Sequence, residues 1–354
     1  MVRDRGAALL TGATTVLLVA GFTLAVSYGS TSVPVSTVWS TVRGGLLGTP
    51  FAPGTIDLIV WQVRIPRPIL AVVVGAGLGT VGVAVQALVR NDLADPYLLG
   101  ISSGASVGAV WVLVFGGGVV GTLAGIIGSA VVLPVAAFLG ALIALAVVWS
   151  VTRAAGGIGG AFGPTRLVLT GVTVGQILTA ITSFMVLQTD DQAQTRSVLF
   201  WLMGSLGGAT WSQLPVTVIG VALGAAVLYG RARHLNALAL GDETASSLGI
   251  SVLRVRREVF VVVSLMTGVI VAVSGAIGFI GLLVPHLCRF VVGVDHRRLL
   301  PAAALVGATL MVFVDLSCRV AARLVHQELP VNVVTAALGG PVLLVLLMTR
   351  TGRP

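Results

Sequence analysis

Ten apolar runs, each about as long as a bilayer is thick, leave this chain few folds to choose from. A helix needs about 20 mostly apolar residues to cross the hydrocarbon core of a membrane. Runs of that kind stand at 7–27, 65–89, 96–115, 119–151, 166–188, 212–230, 258–275, 276–292, 299–323 and 331–349. Charged residues make up 9% of the 354, against about 25% in an average soluble protein, too few to coat a globule of this size. A soluble enzyme and a disordered chain are both excluded. The expectation is an all-α polytopic membrane protein with ten transmembrane helices, forming a single domain over 1–354.

The charges that remain define a topology. All 21 cations are arginine, so chemistry that needs a lysine, such as a Walker-type phosphate loop or a Schiff base, is ruled out. The arginines sit at the ends of apolar runs rather than in a patch for nucleic acid, and cytoplasmic loops collect basic residues. Ten spans and a cytoplasmic N-terminus put fifteen arginines inside and six outside. Merging 258–292 into one long span reduces this to twelve against nine, so two short spans are expected there, with Ser274 and Gly275 at the turn. Both termini are then cytoplasmic. The first run follows Arg3 and Arg5, and Ala25-Val26-Ser27 loosely resembles a signal-peptide cleavage site. Its apolar core of about 20 residues exceeds the 7–15 of a signal sequence, so a retained helix is expected.

Two motifs suggest soluble enzymes and fail on context. Gly77-Leu78-Gly79-Thr80-Val81-Gly82 matches GxGxxG, but a dinucleotide site needs a preceding strand and an acid about 20 residues on. Gly75, Gly79 and Gly82 fall instead on one helix face, a stripe for close helix packing in lipid. Gly100-Ile101-Ser102-Ser103-Gly104 matches GxSxG, yet no acid–base partners follow at the spacing of a nucleophile elbow. Ser102 and Ser103 more simply permit close approach of a helix or of a transport path. Cys288 and Cys318 stand alone, and the four histidines show no metal-ligand spacing, so neither a metal site nor a cofactor is expected.

Polar groups at membrane depth are expensive and mark function by default. Gln86, Gln176 and Asp315 qualify, with Asp315 and Arg319 spaced i, i+4 to pair near a helix end. Of the loops, 28–60 lies outside and is rich in Ser, Thr, Gly and Pro, with little structure that sequence can resolve. The longest cytoplasmic segment, 231–257, opens and closes with arginines and holds two short helical pieces around Gly241-Asp242. Asp242 is the expected N-cap of the second piece and Gly249 its C-terminal stop.

Six segments in order resemble one family, the permease subunits of binding-protein-dependent ABC importers for iron–siderophores, haem and cobalamin. They are VRIPRP (63–68), VQALVRNDLADPYLLGISSGASVG (85–108), LALGDETASSLGI (238–250), SGAIGFIGLLVPHLCR (274–289), DHRRLLP (295–301) and ELPVNVVTAALGGPV (328–342). The resemblance implies the type II ABC importer permease fold in the inner membrane. It also implies a dimer with an identical or a paralogous permease, two cytoplasmic ATPase subunits and an extracytoplasmic substrate-binding protein. It places ATPase coupling on Leu235, Ala237, Gly241, Asp242, Glu243, Ser246, Leu248 and Gly249. It places binding-protein docking on Arg64, Arg67 and Arg319. The translocation path and its gates fall on Gln86, Asn91, Leu93, Ser102, Ser103 and Thr165. Many members carry proline where this chain has Asp92, a departure that leaves the turn geometry beside Asn91 open, although Pro96 is kept. The resemblance implies a ferric siderophore as cargo, with cobalamin or haem as alternatives. Two other classes remain open at this point: an ion-coupled secondary transporter, for which Asp315 would be the mid-span acid, and an intramembrane hydrolase using Ser102.

Overall fold

The computed structural model describes residues 2–28, 33–48, 56–116, 122, 128–154, 163–189, 191–325 and 327–350. Among these there is no strand. The helices are α1 (Val2–Ser27), α2 (Val35–Leu46), α3 (Ile56–Ile59), α4 (Pro66–Val89), α5 (Ile101–Phe115), α6 (Ser129–Ala154), α7 (Pro164–Leu187) and α8 (Gln192–Leu202). They continue as α9 (Leu214–Gly230), α10 (Ala232–Ala239), α11 (Asp242–Ser247), α12 (Val252–Ser274), α13 (Ile280–Val292), α14 (His296–Val325) and α15 (Val331–Arg350). A π turn, Val60–Arg64, joins α3 to α4, and a 3-10 turn, Pro96–Leu99, precedes α5.

Each of the ten apolar runs is helical over most of its described length. Six helical stretches are long and apolar enough to cross a membrane alone, and α9 with α10 forms a seventh, bent by 59°. The helices over 101–115, 280–292 and 331–345 are apolar but shorter. The ambiguous 258–292 stretch is two helices. Val271 accepts the last bond of α12 from Gly275, whose φ of 66° with ψ of −169° leaves the helical region, and α13 begins only at Ile280. The start of the 119–151 run lies outside the described residues.

α4 is the spine of the bundle. It is buried on nearly every face and packs along α14, and toward its end on α13, through the glycine stripe expected from sequence. A Cβ on Gly75, Gly79 or Gly82 would strike the carbonyl oxygen of Gly307, Ala303 or Gly281 respectively. Backbone meets backbone, which is how helices gain dispersion contact where lipid supplies no hydrophobic drive. Gly79→Val should therefore push α4 off α14. Overpacking of this kind costs about 1–3 kcal/mol, visible as a lower melting temperature of the purified permease and less monodisperse protein on gel filtration.

Two connections hold helices that the sequence did not resolve, and one cap expectation needs correction. The 28–60 loop contains α2, an amphipathic helix that buries Val38 and Thr41 while Leu46 stays exposed. Its Ser and Thr residues hid the pattern. The 188–212 connection contains α8, whose first turn is capped by the Asp191 carboxylate accepting from Ala193 N–H at 2.8 Å. At only 11 residues with a polar start, it has no spanning signature. Asp242 is not the N-cap of α11 but its first residue. Gly241 holds the cap position at φ 110°, ψ 161°, which a side chain would resist, and this releases the Asp242 carboxylate for ion pairing. The stop at Gly249 is as expected. Its φ is 77°, its N–H bonds Ser246 O at 2.9 Å, and Ile250 N–H bonds Ala245 O at 3.1 Å, the two bonds of a Schellman closure.

Candidate functional site

Three groups of residues are built by this bundle, one at each end and one between. At the arginine-rich end, α10 and α11 pack against α4, α12 and α14. The Asp242 carboxylate takes Arg256 at 2.6 Å and Arg90 at 3.5 Å. Arg256 is 5% exposed, so Asp242 neutralises a charge that could not otherwise stay buried. Asn236 on α10 donates to Asp295 at 2.8 Å and accepts from His296 N–H at 2.9 Å. That amide bond, helped by the Arg297 backbone N–H and the nearby Arg298 and Arg297, outweighs partial desolvation and holds the Asp295 carboxyl below the usual carboxylate range. Its stabilising share is complete above the ordinary carboxylate pKa and is lost as pH falls through the lower folded value. Arg231 pairs with Glu258 at 2.8 Å. The helix pair is thus fixed to α4, α12 and α14 and should move with them as one body.

Of the eight coupling candidates, Leu235 and Ala237 face inward and are buried. Gly241 and Asp242 are half-buried, while Glu243, Ser246, Leu248 and Gly249 are exposed. Leu240, which sequence reasoning did not single out, is 67% exposed, and Leu248 is 63% exposed. Two large apolar side chains on a polar, charged surface suit a protein contact better than water.

At the opposite end lie Arg64, Arg67 and Arg319. The sequence placed them there as charges offered to an acidic partner, but each is engaged within the chain. Arg67 Nε meets Asp315 at 2.8 Å, and its Nη1 pairs with Glu328. Arg319 approaches Asp315 at 3.0 Å as a charge contact without hydrogen-bond alignment, and donates to the carbonyls of Ala25 at 2.8 Å and Tyr28 at 3.0 Å. Arg64 donates to Ser27 O at 3.2 Å and is 5% exposed. The Asp315–Arg319 pair foreseen from i, i+4 spacing is present, but Arg67 and Glu328 enlarge it to a network joining α1, α4, α14 and the segment before α15.

Between the ends, two broken stretches of backbone meet. After Arg90, which closes α4 in the left-handed region (φ 54°), the chain turns back into the bundle. Tyr97 then donates its hydroxyl to Ile277 O at 2.8 Å and accepts from Ile277 N–H at 2.8 Å. One phenol thereby satisfies both backbone groups of a buried residue in the gap between α12 and α13. Asp95 accepts from Tyr97 N–H at 2.8 Å, and Gly278 N–H bonds Asn332 of α15 at 3.0 Å. Irregular backbone inside a membrane bundle persists only where such partners exist. Tyr97→Phe leaves two buried groups unmet, worth about 1–3 kcal/mol. A lower melting temperature with an unchanged helical circular dichroism signal would be the expected result.

The path candidates divide on the same geometry. Gln86, 1% exposed, donates across to Leu282 O at 3.3 Å, and Ser102 is 8% exposed; both are packed inside. Ser103 Oγ lies 3.4 Å from Thr179 Oγ1, joining α5 to α7. Asn91 and Thr165 are exposed and Leu93 is half-buried, with Asn91 Oδ1 accepting from Leu93 N–H at 2.9 Å. Thr173, Gln176, Thr179 and Ser183 form an exposed polar line along α7, of which the sequence reading had only Gln176. Among the described residues no three His, Cys, Asp or Glu side chains are grouped to hold a metal ion.

Long apolar helices around broken interior segments, with a polar helix pair at one end, define a polytopic transport permease. The comparisons sharpen the class. Residues 17–349 match the model of the FecCD transport family, and the chain belongs to that family. It is 40% identical over 304 residues to the cobalamin import system permease protein of Halobacterium salinarum, covering 85% of this chain and 76% of that one. It is 37% identical over 353 residues to the hemin transport system permease protein of Yersinia pestis, covering 97% and 96%. Among solved structures, an inward-facing ABC transporter described as metal-chelate type superposes with a TM-score of 0.79 at 29% identity, covering 97% of this chain and 99% of that one. The chain is therefore an ABC importer permease of all-α, type II fold.

Proposed function

We propose that this chain imports a bulky metal chelate across the cytoplasmic membrane as half of a permease dimer, driven by ATP hydrolysis on separate subunits. In this reading the bundle crosses ten times, with both termini and the α10–α11 pair in the cytoplasm. The observation that carries it is the α10–α11 pair itself: salt-bridged to the bundle on one side, it presents Leu240, Glu243, Ser246 and Leu248 outward on the other. A docked ATPase that closes on nucleotide would pull this body and, through Asp242–Arg90, the end of α4 beside Asn91 and Leu93. The polar line on α7 supports a water-filled path, since lipid would penalise it.

The cargo is a metal chelate in all three candidate forms: ferric siderophore, cobalamin and haem. Relatives named for cobalamin and for hemin lend the two tetrapyrroles at least as much support as the siderophore. Docking of a binding protein at the opposite end requires its acidic residues to compete with Asp315 and Glu328 for Arg67 and Arg319. The test is reconstitution with the cognate ATPase and binding protein in proteoliposomes. Stimulated ATP hydrolysis by the binding protein loaded with one of the three chelates, and not the others, assigns the cargo. Stimulation by none of them rejects the metal-chelate reading.

A further inference from the structure

At the end opposite the coupling pair, α2 rests on the ends of α1 and α4. Val38 joins one buried cluster with Val26 of α1, Val60 and Ile65. Thr41 donates to the Asp57 carboxylate of α3, and a Cβ on Gly45 would strike the Trp61 ring. At about 100° per helical residue these three positions share one sector roughly 60° wide, which fixes the rotation of the helix. Two further sectors face outward and differ in chemistry. Val35, Trp39 and Leu46 fall within about 40° of one another and are 57%, 38% and 77% exposed. Arg43, Ser36 and Ser40 fall within about 60° on the next sector round, and all three are exposed. Water on both sectors would penalise the first, and hydrocarbon on both would penalise the second.

Depth decides what meets the apolar sector. Ile65, in the cluster under α2, is roughly 37 Å along α4 from Arg90 at about 1.5 Å per residue. The hydrocarbon core is about 30 Å thick, and the bilayer about 40–45 Å with its headgroups. With Arg90 at one face, Ile65 and the helix resting on it lie in the headgroup layer of the other. A helix there can set one sector on protein, one among acyl chains and one in water. A tryptophan at position 39 suits the aromatic belt of that layer, and Arg43, at the border of the two outward sectors, is placed for lipid phosphate. We propose that α2 is an interfacial anchor: Val35, Trp39 and Leu46 insert among the acyl chains of the adjacent phospholipid leaflet, and Ser36, Ser40 and Arg43 face headgroups and water. The inference rests on the reading of α4 as a membrane span and is independent of cargo and motor.

Spin labels on Trp39→Cys, Leu46→Cys, Ser36→Cys and Ser40→Cys test it by electron paramagnetic resonance, in proteoliposomes of the permease with its ATPase. The parent chain, whose two cysteines are buried, is the labelling blank, and Val16→Cys, 69% exposed on α1, marks the lipid-facing span. Oxygen concentrates in lipid and nickel–EDDA stays in water. The ratio of oxygen to nickel collision rates should be at least fivefold higher at positions 39 and 46 than at 36 and 40. A uniform ratio at the four positions would overturn the anchor. Low rates with both reagents at 39 and 46 would assign the stripe to a protein partner and overturn it too. A water-like ratio at Val16→Cys would remove the span and the inference with it, whereas a lipid-like ratio there beside water-like ones at 39 and 46 would overturn the anchor alone.

Discussion

Asp315→Ala should be the most damaging single substitution in this chain. Asp315 is fully buried and sits against two guanidiniums whose side chains are only 12% and 11% exposed. Removing one partner of a buried ion pair costs roughly 3–5 kcal/mol, because the remaining charge is stranded. Here the two arginines would be left with the 40% exposed carboxylate of Glu328, which pairs with Arg67. The permease should lose most of its yield in membranes, and what is recovered should melt well below the parent. Asp315→Asn keeps the shape and two polar atoms and should lie between. Uptake that fails in Asp315→Asn while the fold is intact would instead favour an ion-coupled role for this acid.

The second large effect concerns coupling. Leu240→Asp combined with Leu248→Asp changes two exposed side chains and should leave the fold unaltered, since surface substitutions commonly stay within about 0.5 kcal/mol. If the α10–α11 pair is the seat of the ATPase, the double variant should lower binding-protein-stimulated ATP hydrolysis at least tenfold and weaken co-purification of the ATPase. A fall of tenfold corresponds to about 1.4 kcal/mol of lost coupling. A normal rate would remove these leucines from the interface and with them the coupling assignment. Asp242→Arg acts differently: it places a third cation beside Arg90 and Arg256 and should uncouple by detaching the pair from α4.

The helices were legible because apolar length is a local property. The 258–292 split could be read from arginine bias and a Ser-Gly step, and the structure breaks there. What escaped was everything set by partners distant in sequence. Arg67 was picked out, but its partners Asp315 and Glu328 lie far along the chain, and no periodicity links them. Arg64 and Arg67 therefore looked like open charges, whereas each is held within the chain. Tyr97 escaped for another reason: both its partners are the backbone groups of Ile277, and backbone demand leaves no mark in residue identity. The coupling segment was legible as two short helices. Which of its side chains faced out was not, since Leu235, buried within α10, and Leu240, exposed just past its end, are the same residue type.

If the chain works as an ABC permease, the α10–α11 pair is moved by a motor on another chain. Uptake of the cognate chelate into proteoliposomes, compared for this permease alone and for permease with ATPase, binding protein and Mg-ATP, tests it most directly. Accumulation only in the complete system, abolished by the Leu240→Asp, Leu248→Asp double variant, is the predicted result. Accumulation by the permease alone, driven by an imposed ion gradient, would contradict it.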